Sequence, residues 1–297
     1  MLTTISTINS LKFYKRIILP IVILSIPGGG SSSIAQDNSG NIWLGSSTPS
    51  KLYSINPRNN YTNSLVTVTT TNTTIYNISI NNNNLILNTY GNCMYIQNFT
   101  TKLATPVALT SITGLNNFCA AFIDGSNVYT LPGNITKYSI AAFGGSGTNA
   151  TYAGGGASYQ DNVLATNTSL NLPNNVSQCV INNGYFYFCD VNNHVIRRIN
   201  ISTNIISRVA GTPQQSGFSG NGGLATSCKL SGPSGIIFDS AGKLYISDTN
   251  NNCIRVVNTN GIISNLFTVN SPFQLLVDIN NNLLVATSGS LYSYSLS

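Results

Sequence analysis

The sequence predicts an all-β fold: a six-bladed β-propeller of four-stranded blades, its ring closed by the N-terminal strand. Three observations predict it. First, residues 176–265 hold two near-copies of one text, and Asp190 and Asp248 are corresponding residues 58 positions apart. A repeat of this period made of short strands marks a propeller or array. Second, apolar runs alternate with Asn, Gly and Asp turns along the whole chain, which is a hairpin signal, and no segment sustains a helical period. Third, the last unit stops at Ser297 after its third strand, while spare apolar sequence at Ile17–Ile26 precedes the first unit.

The units follow one template: apolar strand, tight turn, apolar-aromatic strand, polar loop, third strand, fourth strand. The first runs from Ser33 through Trp43 to Lys51-Leu-Tyr-Ser-Ile55. The second starts at Ile78 and returns at Cys93-Met-Tyr-Ile96, and the third starts at Ala120 and returns at Ile135–Ile140. The duplicated text supplies the fourth and fifth. The sixth begins at Leu275 and ends with Leu291-Tyr-Ser-Tyr294. No such sheet buries both faces alone, so the units must stack around an axis. Pairing Ile17–Ile26 with Leu291–Tyr294 would complete the sixth blade and hide two sheet edges. The domain division is therefore 1–30, an extension with the closing strand, and 31–297, the propeller.

The same N-terminal run, preceded by Lys15-Arg16, has the outline of a secretory signal. It is read instead as an uncleaved strand, because a cut after Ala35 would remove half of a repeat strand. The run is too short to span a membrane.

Only 7% of the residues are charged, against roughly 25% in an ordinary soluble domain. Glutamate is absent, the seven acids are all Asp, and His194 is the only histidine. Asn, Ser and Thr stand in for charge. Such a neutral surface suits an extracellular, adhesive or virion-like assembly, because little like-charge repulsion opposes close contact. The net charge of +6 is scattered, so a nucleic-acid partner is not favoured. The six cysteines form no CxxC pair, which argues against a zinc site, and they read as small buried hydrophobes.

With the repeats in place, the residues resemble a known family. Asn193-His194-Val-Ile-Arg197 is similar to the signature of NHL repeats. The run from Gly217-Phe-Ser-Gly-Asn-Gly-Gly223 through Leu230-Ser-Gly-Pro-Ser-Gly to Asp248 resembles the family's inter-blade segment and repeat. The resemblance implies a six-bladed propeller and protein or RNA binding, with lyases and lactonases among related propellers. Those enzymes need Glu, several His, or a Glu/Asp/Asn set for calcium at the central channel. A chain without Glu and with one His does not carry these over.

The residue-level reading agrees. Asp37, Asp124, Asp239 and Asp278 sit at the first turn of their units, where a carboxylate bonds its own backbone. Asp190 and Asp248 open the loops between second and third strands. Two long inter-unit segments, Gly144–Leu172 and Gly211–Leu230, are rich in Gly, Ser, Thr and Asn. Propeller geometry puts them on the face that carries the Asp190 and Asp248 loops. Partner binding is accordingly expected at Asp190, Asn193, His194, Arg197, Arg198, Phe218, Asp248, Asn252 and Arg255. The expected function is a non-catalytic interaction or structural propeller, not an enzyme, with no cofactor and no metal ligands. Its partner is a protein or further copies of itself. The alternatives are a metal-dependent lactonase- or lyase-like enzyme and an RNA-binding NHL domain.

Overall fold

The computed structural model describes residues 21–25, 32–47, 50–59, 62–66, 75–81, 84–89, 92–96, 110–111, 121–124, 127–131, 133–139, 150–173 and 178–296. Strand β1 (Ile21–Ser25) is followed by sheet one: β2 (Ser32–Gln36), β3 (Ile42–Ser47), β4 (Ser50–Asn56) and β5 (Thr62–Val66). Sheet two holds β6 (Ile75–Asn81), β7 (Asn84–Thr89), β8 (Asn92–Ile96) and β9 (Thr110–Ser111). Sheet three holds β10 (Ala121–Asp124), β11 (Asn127–Thr130), β12 (Ile135–Ser139) and β13 (Ala150–Ala153).

Sheet four comprises β14 (Val163–Leu164), β15 (Cys179–Asn182), β16 (Tyr185–Asp190), β17 (Val195–Asn200) and β18 (Ile205–Ala210). Sheet five comprises β19 (Pro233–Phe238), β20 (Leu244–Asp248), β21 (Cys253–Val257) and β22 (Ile263–Thr268). Sheet six comprises β23 (Pro272–Val277), β24 (Asn282–Thr287) and β25 (Ser290–Ser295), with β1 as its fourth strand. Among the described residues helix occurs only as short 3-10 turns, and no helix is long and apolar enough to cross a membrane.

The N-terminal pairing runs antiparallel, with Ile21 opposite Ser293, Val22 opposite Tyr292 and Leu24 opposite Leu291. Residues 17–20 of the expected closing segment lie outside the described residues. Sheet four corrects the expectation of four strands per sheet. The two residues of β14 pair with Ile206 and Ile205 and add a fifth, outermost strand. Two residues carry no periodicity for sequence reading to detect.

The core lies between consecutive sheets, and the period of two along each strand builds it. On β16, Phe186 and Phe188 pack with Tyr129 and Leu131 of sheet three, whereas Tyr187 and Cys189 pack with Ile236 and Ile246 of sheet five. On β20, Leu244 and Ile246 face sheet four while Tyr245 joins Leu275 and Val285 of sheet six. On β24, Leu284 and Ala286 meet Ile34 and Leu44 of sheet one. Each strand thus buries both faces, which is why these segments read as near-continuous apolar runs. The first strands β2, β6 and β10 of sheets one to three also lie side by side.

Polar side chains lace these seams. Gln178 accepts from the backbone N–H groups of Ile236 (3.1 Å) and Leu275 (2.9 Å) and donates to the Leu275 carbonyl (2.7 Å). One amide therefore ties sheet four to sheets five and six. Gln274 accepts from the Ile34 N–H at 2.8 Å and ties sheet six to sheet one.

The turn aspartates do what their spacing implies. Asp37 Oδ1 accepts from the N–H groups of Ser39 and Asn41, and Asp278 Oδ1 from those of Asn280 and Asn282. The second oxygen of Asp37 holds the Trp43 indole N–H, and that of Asp239 holds the Tyr245 hydroxyl. The side chain of Asp124 lies outside the described residues. Cys179, Cys189, Cys228 and Cys253 are buried free thiols, and burial pushes Cys253 up to about 12. The side chains of Cys93 and Cys119 lie outside the described residues.

Candidate functional site

Sheets four and five carry the same buried arginine-centred unit. Asp190 ends β16, three residues of 3-10 turn follow, and His194 closes the turn in the left-handed region at φ 59°. Asp248, the turn Thr249–Asn251 and Asn252 at φ 53° repeat this geometry. Asp190 Oδ1 accepts from the Asn171 N–H at 2.9 Å, and Asp248 Oδ1 from the Ser231 N–H at 2.7 Å. Their second oxygens take the side-chain amides of Asn193 (3.0 Å) and Asn251 (2.9 Å). Arg197 then approaches Asp190 at 3.5 Å, and Arg255 approaches Asp248 at 3.3 Å.

The far ends of both guanidiniums hold the inter-sheet connectors. Arg197 lies over the Tyr159 ring at 4.2 Å, bonds the Gln160 carbonyl, and pairs with Asp161 at 3.1 Å. Arg255 lies over Phe218 at 4.7 Å and bonds the Ser219 carbonyl (3.1 Å) and Asn221 Oδ1 (2.9 Å). The connectors themselves repeat: Gly154 N–H donates to the Ala165 carbonyl, as Gly211 N–H does to that of Ala225. Each arginine therefore staples the strand beneath it, the carboxylate beside it and the loop above it. Residues 144–149 of the first connector lie outside the described residues.

Both arginines and both aspartates are fully buried. Burial pushes the Asp190 and Asp248 carboxyls above the usual carboxylate range, opposed by the asparagine amides, the backbone N–H groups and the arginines. Burial also pushes the Tyr159 hydroxyl up, so it stays a donor to Asp161.

Of the nine residues expected to bind a partner, Asp190, Asn193, Arg197, Asp248 and Arg255 are buried and bonded inward. An arginine at the start of an apolar strand reads as exposed until the loop that covers it is known. Arg198 faces the other side of β17, over Tyr185 at 4.4 Å and bonded to Ser207. His194 Nδ1 accepts from the Gly232 N–H at 3.2 Å, and Asn252 Oδ1 accepts from the Ser271 N–H at 2.9 Å. The lone histidine thus does at one seam what an asparagine does at the next. Phe218 remains half exposed.

Sequence reading missed Tyr159, Asp161, Asn171, Gln178 and Asn221. The signal was present, since Leu164-Ala165 and Leu224-Ala225 mark the same repeat within the connectors. What the unit offers outward is mostly amide: Gln160, Asn171, Asn192, Gln214, Gln215 and Asn250 are exposed, together with Lys229 of the second connector. Among the described residues no three His, Cys, Asp or Glu side chains converge in a way that could hold a metal ion.

A sequence profile of the teneurin NHL domain matches residues 206–276, and one of the two-component regulator propeller matches residues 25–48. The NHL resemblance holds. Residues of the NHL-like match include Asp248, Arg255 and Asn252. The protein SUPPRESSOR OF QUENCHING 1, chloroplastic, of Arabidopsis thaliana is 34% identical over 79 residues, which cover 27% of this chain and 7% of that protein. A structure of unknown function from Bacteroides thetaiotaomicron superposes at TM-score 0.65, with 13% identity over 94% of this chain and 72% of the other. A luciferin-regenerating enzyme superposes at TM-score 0.61, with 12% identity, 94% of this chain and 96% of the other. A streptogramin B lyase superposes at TM-score 0.58, with 13% identity, 93% of this chain and 96% of the other.

These last two correct the expectation that the chain is not an enzyme. Enzymes share this fold across nearly its whole length, at identities where catalytic groups are free to differ. Function resides in sites carried by a fold, so the missing glutamate and the single histidine are no ground for ruling chemistry out.

Proposed function

We propose that residues 31–297 form an NHL-like propeller of six blades, closed by a strand from residues 1–30, whose connector face on blades three to five binds a protein partner. The six sheets, their shared cores and the pairing of β1 with β25 support the ring. One observation carries the binding reading. The same buried Asp–Asn–Arg unit, used twice, fixes two long polar connectors over adjacent sheets. Long loops held on a rigid scaffold are where binding surfaces are built, because little ordering entropy is then lost on association. The face so held is amide-rich, with Phe218 as its exposed aromatic and Lys229 as an exposed charge beside it. An aromatic anchor ringed by hydrogen-bonding amides suits a protein surface. Phosphate-led RNA recognition finds less support, because Arg197 and Arg255 are turned inward.

The test is differential capture from the native source on immobilised full-length chain. Phe218→Ala combined with Gln214→Ala should lose a partner that the wild type retains, with an unchanged unfolding temperature. Identical retention by both proteins would refute the binding face.

A further inference from the structure

The sequence contains three Asn-Gly pairs: Asn183-Gly184, Asn221-Gly222 and Asn260-Gly261. Asparagine is chemically labile, and most so before glycine, where no side chain hinders the next backbone nitrogen from attacking the amide carbon. All three asparagines are exposed, so solvent access does not tell them apart. Hydrogen bonding does. The Gly222 N–H donates to the Ile263 carbonyl at 2.8 Å, and Asn221 Oδ1 accepts from Arg255 at 2.9 Å. The Gly261 N–H donates to the Asn258 carbonyl at 2.9 Å, and the Gly261 carbonyl accepts from the Ala225 N–H at 2.8 Å. The peptide joining Asn183 to Gly184 has no such tie: neither its carbonyl nor its N–H is hydrogen-bonded.

Asn183 and Gly184 form the two-residue loop between β15 and β16, flanked by the Asn182–Tyr185 pair. Positive φ at both residues, 48° and 76°, makes this a type I′ turn. Turning over the central peptide converts it to type II′, with ψ of about −120° at the first position. That rotation breaks no hydrogen bond of the peptide. It carries the Gly184 nitrogen to the side of the Asn183 Cβ, where a five-membered ring can close on Cγ. Space is available, since a Cβ on Gly184 would meet nothing within 4 Å.

We infer that Asn183 is a self-modification site, where the chain converts its own amide to a carboxylate with water as the only co-reactant. The Gly184 nitrogen bonds to Asn183 Cγ, and the side-chain nitrogen leaves as ammonia with the proton of the attacking N–H, forming a cyclic imide. Water then opens one of the two ring C–N bonds. Opening at Cγ gives aspartate. Opening at the backbone carbonyl gives isoaspartate, whose main chain runs through Cγ and is one carbon longer. Aspartate adds a negative charge and keeps the turn. Isoaspartate overfills a two-residue loop, and so strains the Asn182–Tyr185 pairing and the bond from the Ile201 N–H to the Gly184 carbonyl (3.0 Å). That strain falls on β15, next to the Gln178 amide that ties sheet four to sheets five and six.

The test is peptide mapping by mass spectrometry after the full-length chain is held in mildly alkaline heavy-oxygen water, which labels each newly formed carboxylate. In the folded chain Asn183 should convert about tenfold or more ahead of Asn221 and Asn260, because at those two a hydrogen bond must break first. In guanidinium the three should convert at similar rates, and Asn183→Asp should remove the label from that peptide. Equal rates in the folded chain, or earlier conversion at Asn221 or Asn260, would overturn the inference. So would an Asn183 that stays an amide while the unfolded chain converts, or a lead that persists unchanged in guanidinium.

Discussion

Asp248 and Arg255 are both fully buried, so the strength of their pairing is measured by what remains when one is removed. Asp248→Ala leaves an uncompensated guanidinium and an unbonded Ser231 N–H, and should lower stability by about 3–5 kcal/mol in urea unfolding. The two copies are unequally charged. Arg197 has Asp161 at its outer end, whereas Arg255 has Asn221 there. Asn221→Asp should therefore stabilise by up to about 1 kcal/mol, the gain shrinking in high salt because that position is exposed. His194→Asn should be tolerated, since Asn252 already makes the equivalent bond, whereas His194→Leu leaves the Gly232 N–H without its acceptor. Acid adds a signed expectation. With folded carboxyls raised by burial, the contribution of Asp190 and Asp248 is complete below the unfolded value of about 3.9 and is lost as pH rises through the raised values. The stability of the wild type relative to a double Asp→Asn variant should then increase on acidification from neutral toward about pH 4; a decrease would contradict the burial argument.

At the scale of the element, the connectors depend on special backbone positions. Gly211 has φ +90°, and a Cβ there would collide with the His194 carbonyl. Gly211→Ala should cost more than about 1 kcal/mol and loosen the second connector, seen as faster exchange of the Ala225 and Ser231 amides. This is also where sequence legibility ran out. The strands, the hairpin turns of Asp37, Asp239 and Asp278, and the importance of the Asp190 and Asp248 loops were readable, because each rests on local spacing. The inward direction of Arg197 and Arg255 was not, because it depends on residues 28 to 37 positions upstream. Gln178 was equally silent: its partners lie 58 and 97 residues away in other sheets, and a lone glutamine before an apolar strand has no pattern of its own. The fifth strand of sheet four escaped for want of length.

For the whole molecule, the consequence of the repeat is a chain of cores, each made by two neighbouring sheets. Every sheet then depends on both neighbours, and damage at one seam should spread. Phe186→Ala removes a fully buried ring from between sheets three and four and should cost about 3–5 kcal/mol, with one cooperative transition rather than separate melting of sheets. In the proposed ring the N-terminal strand is the clasp, because β1 covers the edge of β25. Hydrogen exchange read by mass spectrometry on the full-length chain tests this most directly. If the ring is closed by its N-terminal strand, the amides of 21–25 and 290–295 exchange slowly and together, and both speed up when Val22 and Leu24 are replaced by proline. Rapid exchange of 21–25 beside a still-protected β24 would contradict it.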